Sequence, residues 1–94
     1  MFICALKIEL HLPATHSLKE KRAVVRPVID GLHNRFRVSV AEVDHQDLWQ
    51  RCTIAMAAVA STAGHVAEVL DHCERFVWSF PELEVIGTER IWLE

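Results

Sequence analysis

An α+β sandwich with the chain order strand, helix, strand, strand, helix, strand is the architecture this sequence predicts, on three observations. Residues 2–12 alternate at a period of two, as a strand with one face in a core does. Two later segments carry apolar residues at about 100° per residue, the spacing of an amphipathic helix. Between those segments lie two apolar runs separated by a short polar turn, the pattern of an antiparallel hairpin.

The first strand covers Phe2 to Leu12. Its even positions read Phe, Cys, Leu, Ile, Leu, Leu, and its odd positions are Ile3, Ala5, Lys7, Glu9 and His11. Pro13 closes it. Ser17-Leu18-Lys19-Glu20 then forms a capping box, in which the Ser17 hydroxyl accepts from the backbone N–H three residues on and Glu20 reaches back. A helix follows from about Leu18 to Asn34, with an apolar stripe at Leu18, Val25, Ile29, Leu32 and Phe36. Pro27 lies opposite that stripe, on the solvent side. It removes a hydrogen bond at a cost of roughly 3 kcal/mol, and a kink without a break is expected there. Gly31 weakens the segment further.

Val38 to Val43 is the second strand, Asp44-His45-Gln46-Asp47 a polar turn, and Trp49 to Ala60 the third strand. Ser61 or Thr62 caps a second helix with the stripe Val66, Val69, Leu70, Cys73, Val77 and Phe80, which Pro81 stops. Leu83 to Leu93 is the last strand, with Gly87 a candidate bulge. Two right-handed crossovers joined by a hairpin, with both helices on one face, give a ferredoxin-like fold. The expected sheet order is 4-1-3-2, in one domain spanning residues 1–94.

Composition narrows the function classes. Hydrophobic residues make up 51% of the 94, enough to build a core and to exclude disorder. The start, Met1-Phe2-Ile3-Cys4, shows no basic stretch ahead of an apolar run, so no secretory signal is expected. No apolar run approaches the roughly 20 residues that cross a bilayer. Cys4, Cys52 and Cys73 are odd in number and sit in apolar contexts. They read as buried thiols of a reducing compartment, which makes the cytoplasm the expected location. Net charge is −3, but it is unevenly spread. Residues 19–37 hold six bases against two acids, a local +4, whereas residues 38–94 hold three bases against ten acids. Such asymmetry suits an anionic partner on one surface.

At this point the residues resemble a known family. His16-Ser17-Leu18-Lys19-Glu20-Lys21-Arg22, Asn34-Arg35-Phe36 and above all Val40 through Arg51 (VAEVDHQDLWQR) look like the YlxP-like family of small bacterial proteins. The resemblance spans the chain. It implies a ferredoxin-like fold with no assigned activity. The family's genes commonly lie beside those for transcription elongation, translation initiation and ribosome maturation. A role near RNA or the ribosome is what that neighbourhood implies.

Three surfaces stand out as candidate sites. The first is the basic helix: Ser17, Lys19, Lys21, Arg22, Arg26 and Arg35 are the candidate phosphate- or nucleic-acid-binding residues. Lys19, Arg22, Arg26 and His33 share one flank by the angular count. Cations in a first helical turn oppose the helix dipole by roughly 0.3–1 kcal/mol each, and a bound phosphate reverses that penalty. The plain alternative is a solvated basic face. The second is the turn, where Asp44, His45, Asp47 and Trp49 are candidate protein-contact residues. A carboxylate–imidazole pair can do acid–base work, but no nucleophile or glycine-rich loop accompanies it, and turns favour such residues for backbone reasons alone. The third is the sheet face away from the helices, expected to carry Ile3, Ala5, Lys7, Glu9 and His11 from strand one. Strand three supplies Arg51, Thr53, Ala55, Ala57 and Val59, and strand four Ile86, Arg90 and Trp92. Its central positions are small or aliphatic, which disfavours the base-stacking mode of RNA-binding sheets and favours coverage by a second subunit.

The six histidines fall in no recognised ligand spacing. His65 and His72 are seven residues apart, roughly 10 Å along a helix. Neither a metal nor a cofactor is expected, and no catalytic residue is assigned. The leading expectation is a non-enzymatic accessory protein binding structured RNA, ribosomal RNA or a ribosomal subunit through helix one. Second comes a homodimeric protein-interaction module using the 44–49 hairpin. Third is a small phosphate-handling enzyme, disfavoured because Pro13-Ala14-Thr15-His16 has no glycine to cradle a phosphate.

Overall fold

The computed structural model describes residues 1–93. The observed order is β1 (Phe2–His11), α1 (Leu18–Phe36), β2 (Ser39–Asp44), β3 (Arg51–Ala60), α2 (Ala63–Trp78) and β4 (Glu84–Leu93). The strands form one antiparallel sheet in the order β2-β3-β1-β4, which is the predicted 4-1-3-2 read from the other edge. Both helices pack on one face of it, as the ferredoxin-like reading requires.

The alternation in β1 does what a period-two pattern does at the centre of a sheet. Cys4, Leu6, Ile8 and Leu10 are buried toward the helices, and Leu12 continues the series beyond the strand. Cys52, Ile54 and Met56 of β3 meet them from the neighbouring strand. The helices close this layer with Val25, Val28 and Leu32 from α1 and Val66, Leu70, Cys73 and Val77 from α2.

Both N-caps form as expected. Ser17 Oγ accepts from the Glu20 N–H, and Thr62 Oγ1 accepts from the His65 N–H. Helix α1 runs unbroken through exposed Pro27 and ends two residues later than predicted, where Arg37 adopts a left-handed conformation and its N–H donates to His33 O. The buried stripe of α1 is also rotated from the predicted one. Lys21, Val25, Val28 and Leu32 face the core, while Leu18, Ile29 and Phe36 are only partly covered.

Gly31 has a packing reason. A Cβ there would lie 2.3 Å from Phe76 Cζ. The Phe76 ring sits edge-on to both Phe36 and Phe80, with the Arg35 guanidinium 5.1 Å from its centroid. The glycine therefore sets how closely the two helices approach.

Strand β3 starts at Arg51, so Trp49 lies outside it. Residues 49 and 50 are held instead by the β1–α1 loop. Leu12 N–H donates to Gln50 O, Gln50 Nε2 to Pro13 O and Thr15 O, and the Thr15 hydroxyl to Trp49 O. The bulge predicted at Gly87 is present: the β1–β4 register shifts between Glu9, opposite Gly87, and Leu10, opposite Val85. Its consequence corrects the expected open face. Beyond the shift Arg90 pairs with Leu6 and Trp92 with Cys4, which places both on the helix side. Glu89, Ile91 and Leu93 pair with Lys7, Ala5 and Ile3 and are the residues β4 gives to the open face.

Candidate functional site

The six candidate binding residues do not form one cluster. Lys21, on the buried stripe with Val25, Val28 and Leu32, is 97% covered, and its Nζ lies 2.8 Å from Glu42 Oε2 on β2. The same ammonium donates to His45 O at 2.7 Å and to Gln46 O at 3.4 Å. Its charge is spent internally, tying α1 to the edge strand and to the turn that follows it. A signal for this exists in the sequence. Positions 21, 25, 28 and 32 follow the i, i+4, i+7, i+11 spacing, and a lysine on such a face requires a buried counter-charge.

The helix N-terminus is likewise occupied by the chain itself. Ser17 caps the Glu20 N–H, and the Glu20 carboxylate accepts from the His16 N–H at 2.9 Å. An acid already compensates the positive end of the dipole there. At the other end, Arg35 lies over Phe76, some 13 residues along the helix from Arg22.

Arg22 and Arg26 remain together. They are one turn apart on the exposed flank of α1, and neither forms an ion pair among the described residues. Both line a groove of about 670 Å³ between α1 and β2, whose walls also include Leu18, Ile29, Asp30 and Gln46. Lys19 is exposed one turn before Arg22 and two turns before Arg26. The groove sets Leu18, Val25 and Ile29 beside two planar guanidinium groups, with Asp30 and the Lys21–Glu42 pair also in its lining. The guanidinium groups suit a ligand that presents an anion beside an apolar surface.

The turn residues occupy the adjoining corner. His45 has φ 63°, its N–H donates to Asp44 Oδ1, and its Nδ1 lies 3.0 Å from Thr53 Oγ1. Asp47, Leu48 and Trp49 are exposed, Trp49 to 53%. Lys21 grips the first half of this turn and Thr15 with Gln50 the second. Its exposed side chains thus stand on a tethered backbone, and nothing in the sequence marks Thr15, Glu42 and Gln50 as the residues that hold it, because each is an ordinary polar residue there.

The three thiols are buried and free. Burial raises all of their pKa values. Cys52, with the Glu42 carboxylate also acting on it, is pushed up to about 12, and Cys73, partly offset by Arg90, to about 11. At neutral pH they are protonated and poor nucleophiles. Among the described residues no three His, Cys, Asp or Glu side chains gather as a metal site. Among the described residues no helix is long and apolar enough to cross a membrane.

Residues 3–90 match the family model described as "Protein of unknown function (DUF503)". The chain belongs to the DUF503 family. The chain is similar to "Uncharacterized protein YlxP" of Bacillus subtilis (strain 168), with 41% identity over 76 residues that cover 81% of this chain and 83% of that protein. The DUF503 match takes in both arginines of the groove and the whole 44–49 turn, so the two candidate surfaces lie inside the family's own extent.

Proposed function

We propose that this protein is a non-enzymatic accessory protein that binds structured RNA, as RNA alone or on a ribosomal surface, through the α1 flank bearing Arg22 and Arg26. The observation that carries this reading is the two guanidinium groups lining the α1–β2 groove, which have no ion-pair partner among the described residues. Two arginines one helical turn apart, with Lys19 one turn before the first, suit contacts to a phosphate backbone. Such contacts position a nucleic acid without reading its sequence. Lys21 takes no part in this binding, because Glu42 holds its charge.

The expected behaviour is salt-sensitive binding to ribosomal RNA. The Arg22→Ala/Arg26→Ala variant should weaken it across sequences and lower the slope of log K against log salt by about 2. Titration by fluorescence anisotropy at several salt concentrations measures this. Absence of binding to ribosomal RNA and to ribosomal subunits at low salt would reject the reading.

A second reading, a protein-interaction module, draws on the exposure of Leu48 and Trp49 on a tethered turn. Exposed tryptophan on a rigid base is a common interface anchor. It predicts a protein partner that survives nuclease treatment and is lost in Trp49→Ala.

A further inference from the structure

The face of the sheet away from the helices has a pattern that neither surface above uses. Its residues lie in rows across β2, β3, β1 and β4. One row is Ser39, Ala57, Ala5 and Ile91, the next toward the chain ends is Val59, Ile3 and Leu93, and the one beyond Ala5 is Ala41, Ala55, Lys7 and Glu89. Small side chains therefore fill the middle and the β2 side, while Ile91 and Leu93 raise a ridge along β4. Val59 and Leu93 are more than 60% exposed and Ile91 and Ile86 about half. No Phe, Tyr or Trp of the strands lies on this face, and its one imidazole, His11, sits at the edge of the charged end bonded to Glu84, so the aromatic platform of RNA-binding sheets is missing.

The opposite end of the face is charged with both signs: Lys7 and Arg51 against Glu9, Glu84 and Glu89. Arg51 enters no ion pair among the described residues, and its buried Nε has no acceptor.

From these rows we infer that the open face is the interface of a homodimer, in which two sheets pack face to face about a two-fold axis along the strands. That axis keeps apolar end on apolar end and charged end on charged end. It also inverts the strand order across the interface, so the Ile91–Leu93 ridge of each copy lies over the Ser39–Ala57 trough of the other. At the charged end, Arg51 of one copy comes within side-chain reach of Glu9 of the other, while Glu84 is held by His11 of its own copy. A surface complementary to itself in both relief and charge points to a second copy of this chain as the occupant.

The size suffices. Three strands of ten residues and one of six make a face of roughly 550 Å² in plan. Side-chain relief adds to that, so a paired face clears the ~1,000 Å² expected of a specific interface.

Sedimentation equilibrium tests the inference. The wild type should be a dimer at micromolar concentration, and Ala57→Arg, which fills the trough with a charge, should weaken association by about 100-fold. Arg22→Ala/Arg26→Ala should remain dimeric, which separates this interface from the RNA-binding flank. A second measurement does not depend on a disruptive variant. The native thiols are buried, so in Val59→Cys only the introduced thiol reacts with a maleimide, slowly when concentrated and quickly on dilution. A wild type that stays monomeric up to roughly 100 μM overturns the inference. So does a dimer in which the introduced thiol reacts equally at every concentration.

Discussion

Lys21 is a charged residue on the buried stripe of a helix, and three partners account for it. Glu42 supplies the counter-charge, and two turn carbonyls accept hydrogen bonds from the ammonium. Removing one member of such a pair strands the other charge, and that loss exceeds what the pair contributes over an apolar substitute. Lys21→Met should therefore destabilise by about 3 kcal/mol, and Lys21→Met/Glu42→Leu should recover most of it. Urea unfolding of the two variants and of Glu42→Leu alone gives the coupling. Equal stabilities for Lys21→Met and the double variant would show that Glu42 is not the partner that matters. The arginines one residue and five residues on face outward, so neighbours of like charge in sequence have opposite fates in the fold.

At the scale of elements, the packing of α1 on α2 rests on Gly31. Helix propensity alone makes Gly31→Ala stabilising by up to about 1 kcal/mol. The Phe76 ring occupies the space that methyl would need, and Phe36, Phe80 and Arg35 hold the ring in place. The net expectation is a loss of about 1–3 kcal/mol from overpacking, read as a lowered thermal midpoint. Strand periodicity, caps and the Gly87 bulge were legible in the sequence because each depends on residues near one another in the chain. The start of β3 was not. Trp49 has strand-like character, but Thr15 and Gln50 bind its backbone region to the β1–α1 loop, and that contact crosses some 35 residues.

For the whole molecule, burial of the three thiols couples stability to alkaline pH. Each folded-state pKa is raised from 9.0, chiefly by desolvation. The unfolded chain releases these protons first, so their stabilising contribution is complete below about pH 9 and declines toward pH 11–12. The slope is up to about 1.4 kcal/mol per pH unit for each thiol. Between roughly pH 8 and pH 10.5, Cys52→Ala should lose less stability than the wild type, whatever its stability at neutral pH. Parallel curves for the two proteins would argue against a buried, protonated Cys52. The charge asymmetry that the sequence displays between residues 19–37 and 38–94 is also redistributed by folding. Lys21 goes inside, Arg35 lies over an aromatic ring, Arg37 caps the far end of α1, and Arg22, Arg26 and Lys19 are left as a basic flank near its start.

The amino-acid sequence by itself determined the element order, both N-caps and the inward face of β1, because periodicity and local hydrogen bonding act over a few residues. The sheet order followed from that element order through the handedness of the two crossovers. Only the tertiary structure decided which basic residues are available to a partner, since that depends on Glu42 and Phe76 arriving from distant strands and helices. It also decided which β4 side chains reach the open face. One extra residue at the Ile86–Gly87 bulge reverses the alternation, sending Arg90 and Trp92 to the helices and leaving Ile91 and Leu93 on the face that a second copy can cover.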